Sequence, residues 1–390
     1  MFRSFPIPTI VLGAIVLAGC SDAVGVPRPS IAAGARPTAE ARAVAENAAV
    51  RWNAIARAQT LTHAMSQQAG VRMFAYLSFA QYNAAKAAVD APVSATIGGA
   101  SATVLASFFP DQAAYFDSQI GPSPDDGDGD FTSGVERGRS VGADVLARAA
   151  TDGFTASVAG VVIPVCAGCW VSAPGVAPIF PRLREMRPFF LTSANQFRPG
   201  PPPAFGSPEY LTALAEVRHF SDTRTHEQDS LAKFWAKPAG FAVIQSYANQ
   251  VAANEIIKFH FNAQRAARVL ALMNMAAMDA FIASHEAKYT YWLIRPTQAD
   301  PGIVLSIPLP NHPSYPSNHA DVTGASMAIL AAFFHRDAGY LNGLANEAAI
   351  SRIYGGIHYR FDMNAGLILG RQVAQYALAR DGDEAEDSEH

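Results

Sequence analysis

Charge is scarce in this 390-residue chain: Asp, Glu, Lys and Arg together make up 16% of it, and the formal net charge is −4. Its basic residues form no long run, which argues against a nucleic-acid partner and gives little reason to expect binding to an anionic membrane surface through charge alone. Cysteine is rarer still, at three, so a structural zinc site with four thiolates is excluded. No strand-like alternation separates the helical patterns, which excludes a doubly wound α/β arrangement. Apolar residues, by contrast, make up 50% of the chain, enough for a sizeable core in one large domain or two ordinary ones. Such a balance suits a small ligand better than a macromolecular one.

The first twenty residues, MFRSFPIPTIVLGAIVLAGC, place Arg3 before an apolar stretch too short to span a bilayer comfortably, followed by small residues and a cysteine. This stretch resembles a bacterial lipoprotein signal. The resemblance implies removal of residues 1–19, lipid on Cys20, and an exported protein anchored in the periplasm, at the outer membrane since Ser21 carries no inner-membrane retention signal. In that oxidising setting Cys166 and Cys169, in VCAGCW, read as a disulfide that staples a local loop rather than as a redox motif.

Residues 20–40 are rich in Pro, Ala, Gly and Ser and read as a flexible tether. Residues 41–382 read as one all-α domain of packed helical bundles, followed by an acidic tail at 383–390. Val44, Ala48, Trp52, Ile55 and Ala56 share a helical face, and residues 71–89 are apolar on most sides. Asp126, Asp128 and Asp130 have the opening spacing of a calcium loop, but Phe131 stands at the position needing Gly, so a solvated turn is expected. Prolines crowd residues 171–208 and predict a long irregular connection. THEQ at 225–228 predicts a capping box, and residues 254–291 predict a nearly continuous helix, buried at its centre.

Three short segments carry the chemistry. In KYTYWLIRP, Lys288 and Arg295 lie seven apart, about two helical turns, so a helix places both cations on one side. In HPSYPSNHA, Ser317 is a good helix cap, and the amides of Asn318 and His319 point donors at any anion set there; His312 and His319 flank this turn. In SRIYGGIHYRFD, Gly355 and Gly356 predict a turn after Arg352, and His358 stands four residues before Asp362, in reach of a carboxylate that orients its ring. Three cations, a hydroxyl, helix-start amides and a carboxylate-held histidine suit a tetrahedral oxyanion with several negative charges.

The order K-x6-R-P, P-S-x-H and S-R-x5-H-x3-D resembles the three-part signature of the type 2 phosphatidic acid phosphatase and vanadium haloperoxidase superfamily. FRPGPPPAFGSPEY, THEQDSLAKFW and ARVLALMNMAAMDAF are similar to segments of bacterial haloperoxidase-like proteins, extending the resemblance over most of residues 40–380. By position it implies that Lys288, Arg295 and Arg352 neutralise the oxygens of vanadate or phosphate, and that Ser317 and the Asn318 amide donate to them. It implies that His358 joins the central atom, as metal ligand or nucleophile, that Asp362 holds its other nitrogen, and that His319 is the acid–base. Asn318 stands where the family usually has Gly, adding a side chain beside the oxyanion.

Within the family, HYRFD resembles the HWRFD of chloroperoxidase-like members more than the HYPSD of phosphatases, and His312 matches a histidine of algal bromoperoxidases. These point to vanadate as cofactor, with hydrogen peroxide and halide, most simply bromide, as substrates. The alternative is an acid phosphatase that needs no metal, acting on phosphomonoesters through a phosphohistidine. His285, where the peroxidases usually carry Trp, weighs on that side. A third reading, a lipoprotein that keeps the scaffold without turnover, has Asn318 for it and the intact cations, histidines and Asp against it.

Overall fold

A computed structural model describes residues 44–387, apart from 124, 125, 127, 128, 238 and 239, with side chains described up to Asp381. The proposed signal, Cys20 and the tether lie outside the described residues. Helices occupy most of the rest, and among the described residues there is no strand, only an isolated antiparallel bridge between Cys169 and Leu293. The all-α expectation holds.

After a short helical stretch at residues 44–46, thirteen helices follow in chain order among the described residues. The first five are α1 (Ala48–Thr62), α2 (Gln67–Lys86), α3 (Val93–Phe108), the short α4 (Ala113–Ser118) and α5 (Phe131–Ala150). After a long connection come α6 (Pro208–Thr223), α7 (His226–Ala236), α8 (Ile244–Lys258) and α9 (Ala263–Tyr291). The last four are the four-residue α10 (Pro296–Ala299), α11 (Asn318–Phe333), α12 (Ala338–Tyr354) and α13 (Arg360–Asp387). Their starts follow from short polar side chains: Asn47, Ser66, Asp130, Ser207 and Asn262 each accept a hydrogen bond from a first-turn backbone N–H. Thr225 and Gln228 form the expected capping box.

The axis of the molecule is α9, whose residues from Val269 to Tyr289 are all buried. It is apolar almost all round because neighbours cover every face: α1, α2, α8, α11 and α13 pack around it. Helix does not run unbroken from Asn254, however. Phe259 to Asn262 interrupt it: His260 takes a left-handed conformation (φ 55°), Phe259 and Phe261 pack on Phe334, and Asn262 caps α9. The sequence there contains neither Gly nor Pro, so the break left no composition signal.

Close helix contacts rely on glycine. A Cβ at Gly138 of α5 would lie 2.1 Å from the Thr96 carbonyl of α3. On α13, a Cβ at Gly366 would lie 2.7 Å from the Ser317 carbonyl, and one at Gly370 would lie 2.3 Å from the Asp321 carbonyl. Thus α13 lies directly on the first turns of α11, the helix that begins at the proposed anion site.

The connection from Thr151 to Ser207 holds one 3-10 turn and no α-helix, as the crowded prolines predict from residue 171 on. Cys166 and Cys169 are joined in a disulfide. In the acidic loop, Asp126 accepts from Ser94 and Ser123, and Asp130 caps α5, so the described aspartates serve helix starts rather than a cation.

The glycine contacts predict opposite outcomes for two similar substitutions. Gly370→Ala forces a methyl into backbone and should destabilise by about 3 kcal/mol, with α11 displaced. Gly343→Ala, exposed on α12 with open space around it, should be neutral or stabilise by up to about 1 kcal/mol. Chemical denaturation of both variants decides it, and equal effects would contradict the packing described.

Candidate active site

The three cationic side chains are 0%, 0% and 1% exposed at Lys288, Arg295 and Arg352. Lys288 sits in the last turn of α9. Arg295 does not share its helix: Trp292 ends α9 in the left-handed region (φ 53°), and residues 293–294 then run extended to Arg295, which starts α10. The extended segment is held on both sides. Ile294 donates to the Gly168 carbonyl (2.9 Å), Trp170 donates to the Trp292 carbonyl (2.6 Å), and Ser314 donates to the Leu293 carbonyl (2.9 Å). The disulfide loop therefore helps to place Arg295. The two cations converge through this turn rather than along one helix face.

Lys288 Nζ donates to the carbonyls of Pro313 (3.1 Å), Ser314 (2.8 Å) and Pro316. Three acceptors match the three protons of an ammonium. Its charge thus sits at the site while its protons hold the 313–316 turn. Arg295 donates to the carbonyls of His312 (2.9 Å) and Ile357 (2.7 Å), to His312 Nδ1 (2.9 Å) and to His358 Nε2 (3.1 Å). Arg352, in the last turn of α12, donates to Ser351 Oγ (3.0 Å) and to the Ala232 carbonyl of α7 (2.7 Å). Among the described residues none of the three makes an ion pair with a carboxylate. Burial lowers Lys288 well below its ordinary value, Arg295 to about 10 and Arg352 to about 9.

The histidine tautomers follow from these bonds, because a guanidinium only donates. His358 Nε2 must present a lone pair to Arg295, so its proton is on Nδ1, 2.8 Å from Asp362 Oδ2. His312 Nδ1 likewise accepts from Arg295, leaving the proton on Nε2. The same nitrogen lies 3.0 Å from the Pro313 carbonyl, so protonating it would exchange the Arg295 bond for a bond to Pro313. His319 Nε2 donates to the Trp235 carbonyl at the end of α7 (3.0 Å), which leaves the lone pair on Nδ1. The negative end of one helix therefore holds both His319 and Arg352.

Ser317 starts α11 as expected, yet its hydroxyl makes no capping bond. It is fully buried and has no hydrogen-bond partner among the described residues. Asn318 turns its side chain toward α9, where its Oδ1 accepts from Ser284 (2.7 Å). A cavity of about 220 Å³ opens beside the histidines. His312, Asn318, His319 and His358 line it together with Val71, Ile179, Ile244, Phe281, Val322 and Ile357, and it has no acidic, lysine or arginine lining residue.

All the residues expected to form the site are thus brought together. Several others carry it as well. Ser314 Oγ donates to Asp362 Oδ2 (2.5 Å), its carbonyl receives Lys288, and its N–H holds the 293–294 segment. The HPSYPS repeat of Ser was the only trace of this in the sequence. Ala232 and Trp235 act through backbone carbonyls, which no residue pattern reveals. Asp321 is fully buried and neither carboxyl oxygen has a hydrogen-bond partner at normal geometry, although Ser284 lies near enough to oppose the effect of burial, which pushes this carboxyl well above the usual range.

Residues 239–381 match the PAP2 superfamily. Vanadium-dependent bromoperoxidases of Corallina pilulifera and Corallina officinalis are 36% and 37% identical over the matched part. These matches cover 19% and 17% of this chain, and 18% and 15% of the relatives, so the chain spans less than a fifth of each. A bacterial vanadium-dependent iodoperoxidase structure superposes with a TM-score of 0.71 at 22% identity, covering 86% of this chain and 96% of that one. A holo-type bacterial vanadium-dependent chloroperoxidase structure gives 0.67 at 14% identity, covering 80% and 91%. Residues 239–381 thus carry a PAP2 superfamily domain, and the fold of the chain is that of the vanadium haloperoxidase structures.

Two predictions follow from the geometry. Ser314→Ala removes one of the donors on Asp362 and should weaken oxyanion binding about tenfold, the magnitude of a hydrogen bond to a charged group; calorimetry with phosphate measures it, and unchanged affinity would show that Ser314 is idle. The second concerns pH. His285, His312, His319 and His358 are all held below their ordinary 6.5, His285 at about 3, by burial first and then by the cations. Their contribution to stability is complete above about pH 6.5 and falls as the unfolded chain takes up protons below it. Four carboxyls raised by burial act oppositely and gain stability on acidification: Asp279 and Asp362, at about 6, Glu255, at about 7, and Asp321, well above the usual range. The two sets oppose one another as pH falls through 6.5, so overall stability does not report on the rings. In the folded protein in anion-free buffer the four rings should stay neutral from pH 7.5 to pH 5.5, as the imidazole nitrogen chemical shifts would show; rings that take up a proton over that range would mean they are not held neutral.

Proposed function

We propose that this protein is a vanadate-dependent haloperoxidase that oxidises halide, bromide in the first instance, with hydrogen peroxide to hypohalous acid. The observation that carries the reading is the buried set of three cations with neutral partners, facing a histidine whose Nε2 lone pair is free of a proton. Orthovanadate fits this donor set. Lys288, Arg295 and Arg352 would balance its charge, the unpartnered Ser317 hydroxyl and the Asn318 amide would donate to it, and His358 Nε2 would bind the metal. When bound, vanadate supplies Lewis acidity that polarises peroxide toward attack by halide.

The protein's own part is positioning and proton handling. Asp362 fixes the His358 tautomer and ring. His319 Nδ1, with Nε2 tied to Trp235, takes the proton that peroxide gives up. Burial holds that ring neutral with its Nδ1 lone pair free, and the negative charge of a bound oxyanion would raise its basicity. His312, on the cavity wall and linked to Arg295, would tune proton supply. A cavity of about 220 Å³ whose exposed wall is mostly apolar, with three histidines in it, suits peroxide and a polarisable halide, and the partial likeness to bromoperoxidases points to bromide.

The second reading is a phosphatase, favoured by the PAP2 match over residues 239–381. The same cradle would hold phosphate, and His358 Nε2 would attack phosphorus while His319 protonates the leaving alcohol. Residues 1–20 lead us to include export and lipid on Cys20 in the proposal.

The unaltered protein should oxidise bromide with peroxide only after vanadate is added, and phosphate should compete. His319→Ala should lose most activity yet keep vanadate binding, whereas His358→Ala should lose both. Hydrolysis of a phosphomonoester by metal-free protein, with phosphate trapped on His358 and no vanadate-dependent bromide oxidation, would establish the second reading instead.

A further inference from the structure

We propose that the loop at residues 153–181 docks onto a lipid bilayer carrying anionic headgroups, with its exposed valines in the interface and the following arginines against the phosphates. The proposal does not depend on which reaction the site performs. Residues 153–181 contain no charged side chain and no histidine. Despite this, the loop faces solvent: Val162 is 81% exposed and Val165 101%, and Val158, Val171 and Val176 are exposed as well.

This exposure is built in, because the loop is tied down and cannot fold its valines away. The disulfide closes residues 166–169, Gly168 and Trp170 pair with the extended turn at 292–294, and Trp170 is buried. Farther along, Asn311 Nδ2 donates to the Ala177 carbonyl and Ile179 donates to the Asn311 carbonyl. Arg182 Nη2 reaches back to the Ala159 carbonyl.

Charge begins where the loop ends. Arg182 pairs with Glu185, but Arg184 and Arg187 are exposed and have no carboxylate partner among the described residues. Val162 and Arg184 line the same surface cleft, beside Trp292. Exposed aliphatic side chains bordered by unpaired arginines match a bilayer interface, where hydrocarbon lies next to phosphate. A second copy of the chain is a poorer match, since a two-fold contact over the valines would set the same arginines near one another. Docking would also orient the site: Ile179, at the end of the loop, lines the cavity beside His312 and His358. Reactants would then enter next to the membrane.

The test places a reporter in the loop of the full chain. The Val165→Trp chain is mixed with vesicles of phosphatidylcholine and phosphatidylglycerol (7:3) with brominated acyl chains, and its emission is compared with that of the unaltered chain, whose four tryptophans supply the background. The difference spectrum should shift to the blue and be quenched at least twofold by the brominated lipid. Val162→Asp in the same background should abolish the quenching with circular dichroism unchanged; should that variant misfold, Val162→Ser should reduce the quenching. Vesicle-bound protein whose reporter stays unquenched would overturn the proposal, since the chain would then attach by another part. Equal quenching in phosphatidylcholine alone would remove the role of the arginines. A blue shift that grows with protein concentration in the absence of lipid would assign the valines to a second copy.

Discussion

Buried positive charge without a matching carboxylate is the condition around which this protein is arranged. Lys288, Arg295 and Arg352 are each out of contact with water, and each is bonded only to carbonyls, a hydroxyl or imidazole nitrogen. Asp362 is the acidic group at hydrogen-bond distance from the cluster's histidine, and it answers only part of the charge. Concentrating cations in low dielectric is costly unless something opposite in sign fills the space between them. In the proposed reading the free Ser317 hydroxyl and the unprotonated His358 nitrogen are where that anion would sit.

The fold supplies what the cluster requires. A helix buried on every face, α9, carries Lys288 to the interior, and glycines of α13 bring it against the first turns of α11 so that Ser317 has a fixed place. The end of α7 offers carbonyls to Arg352 and His319 at once. The stapled loop at 166–169 secures the extended turn before Arg295. Most of these restraints are backbone carbonyls, which satisfy a cation without neutralising it. That choice keeps the net charge available to a ligand.

Much of this was legible in the sequence, for physical reasons. Helix starts were readable from Thr225 and Ser317, and the buried character of α9 from its all-round apolar run. The His358–Asp362 spacing gave the orienting carboxylate directly. Geometry set by tertiary contacts was not readable. Lys288 and Arg295 were expected on one helix face, yet Trp292 in the left-handed region turns the chain between them. The helix expected from Asn254 to Tyr291 breaks at residues 259–262, where aromatic packing and the Asn262 cap override a pattern without Gly or Pro. Ser314, whose hydroxyl lies on Asp362, drew no reading from the sequence, and carbonyl acceptors leave no residue signature at all.

The most direct measurement is a crystal structure of the protein grown with orthovanadate, with the metal located by its anomalous signal. The account predicts one fully occupied vanadium bonded to His358 Nε2, with its oxygens near the Ser317 hydroxyl and the guanidinium groups of Arg295 and Arg352. Vanadium bound elsewhere, or crystals at saturating vanadate in which His358 Nε2 still accepts from Arg295 and Ser317 Oγ still lacks a partner, would contradict it.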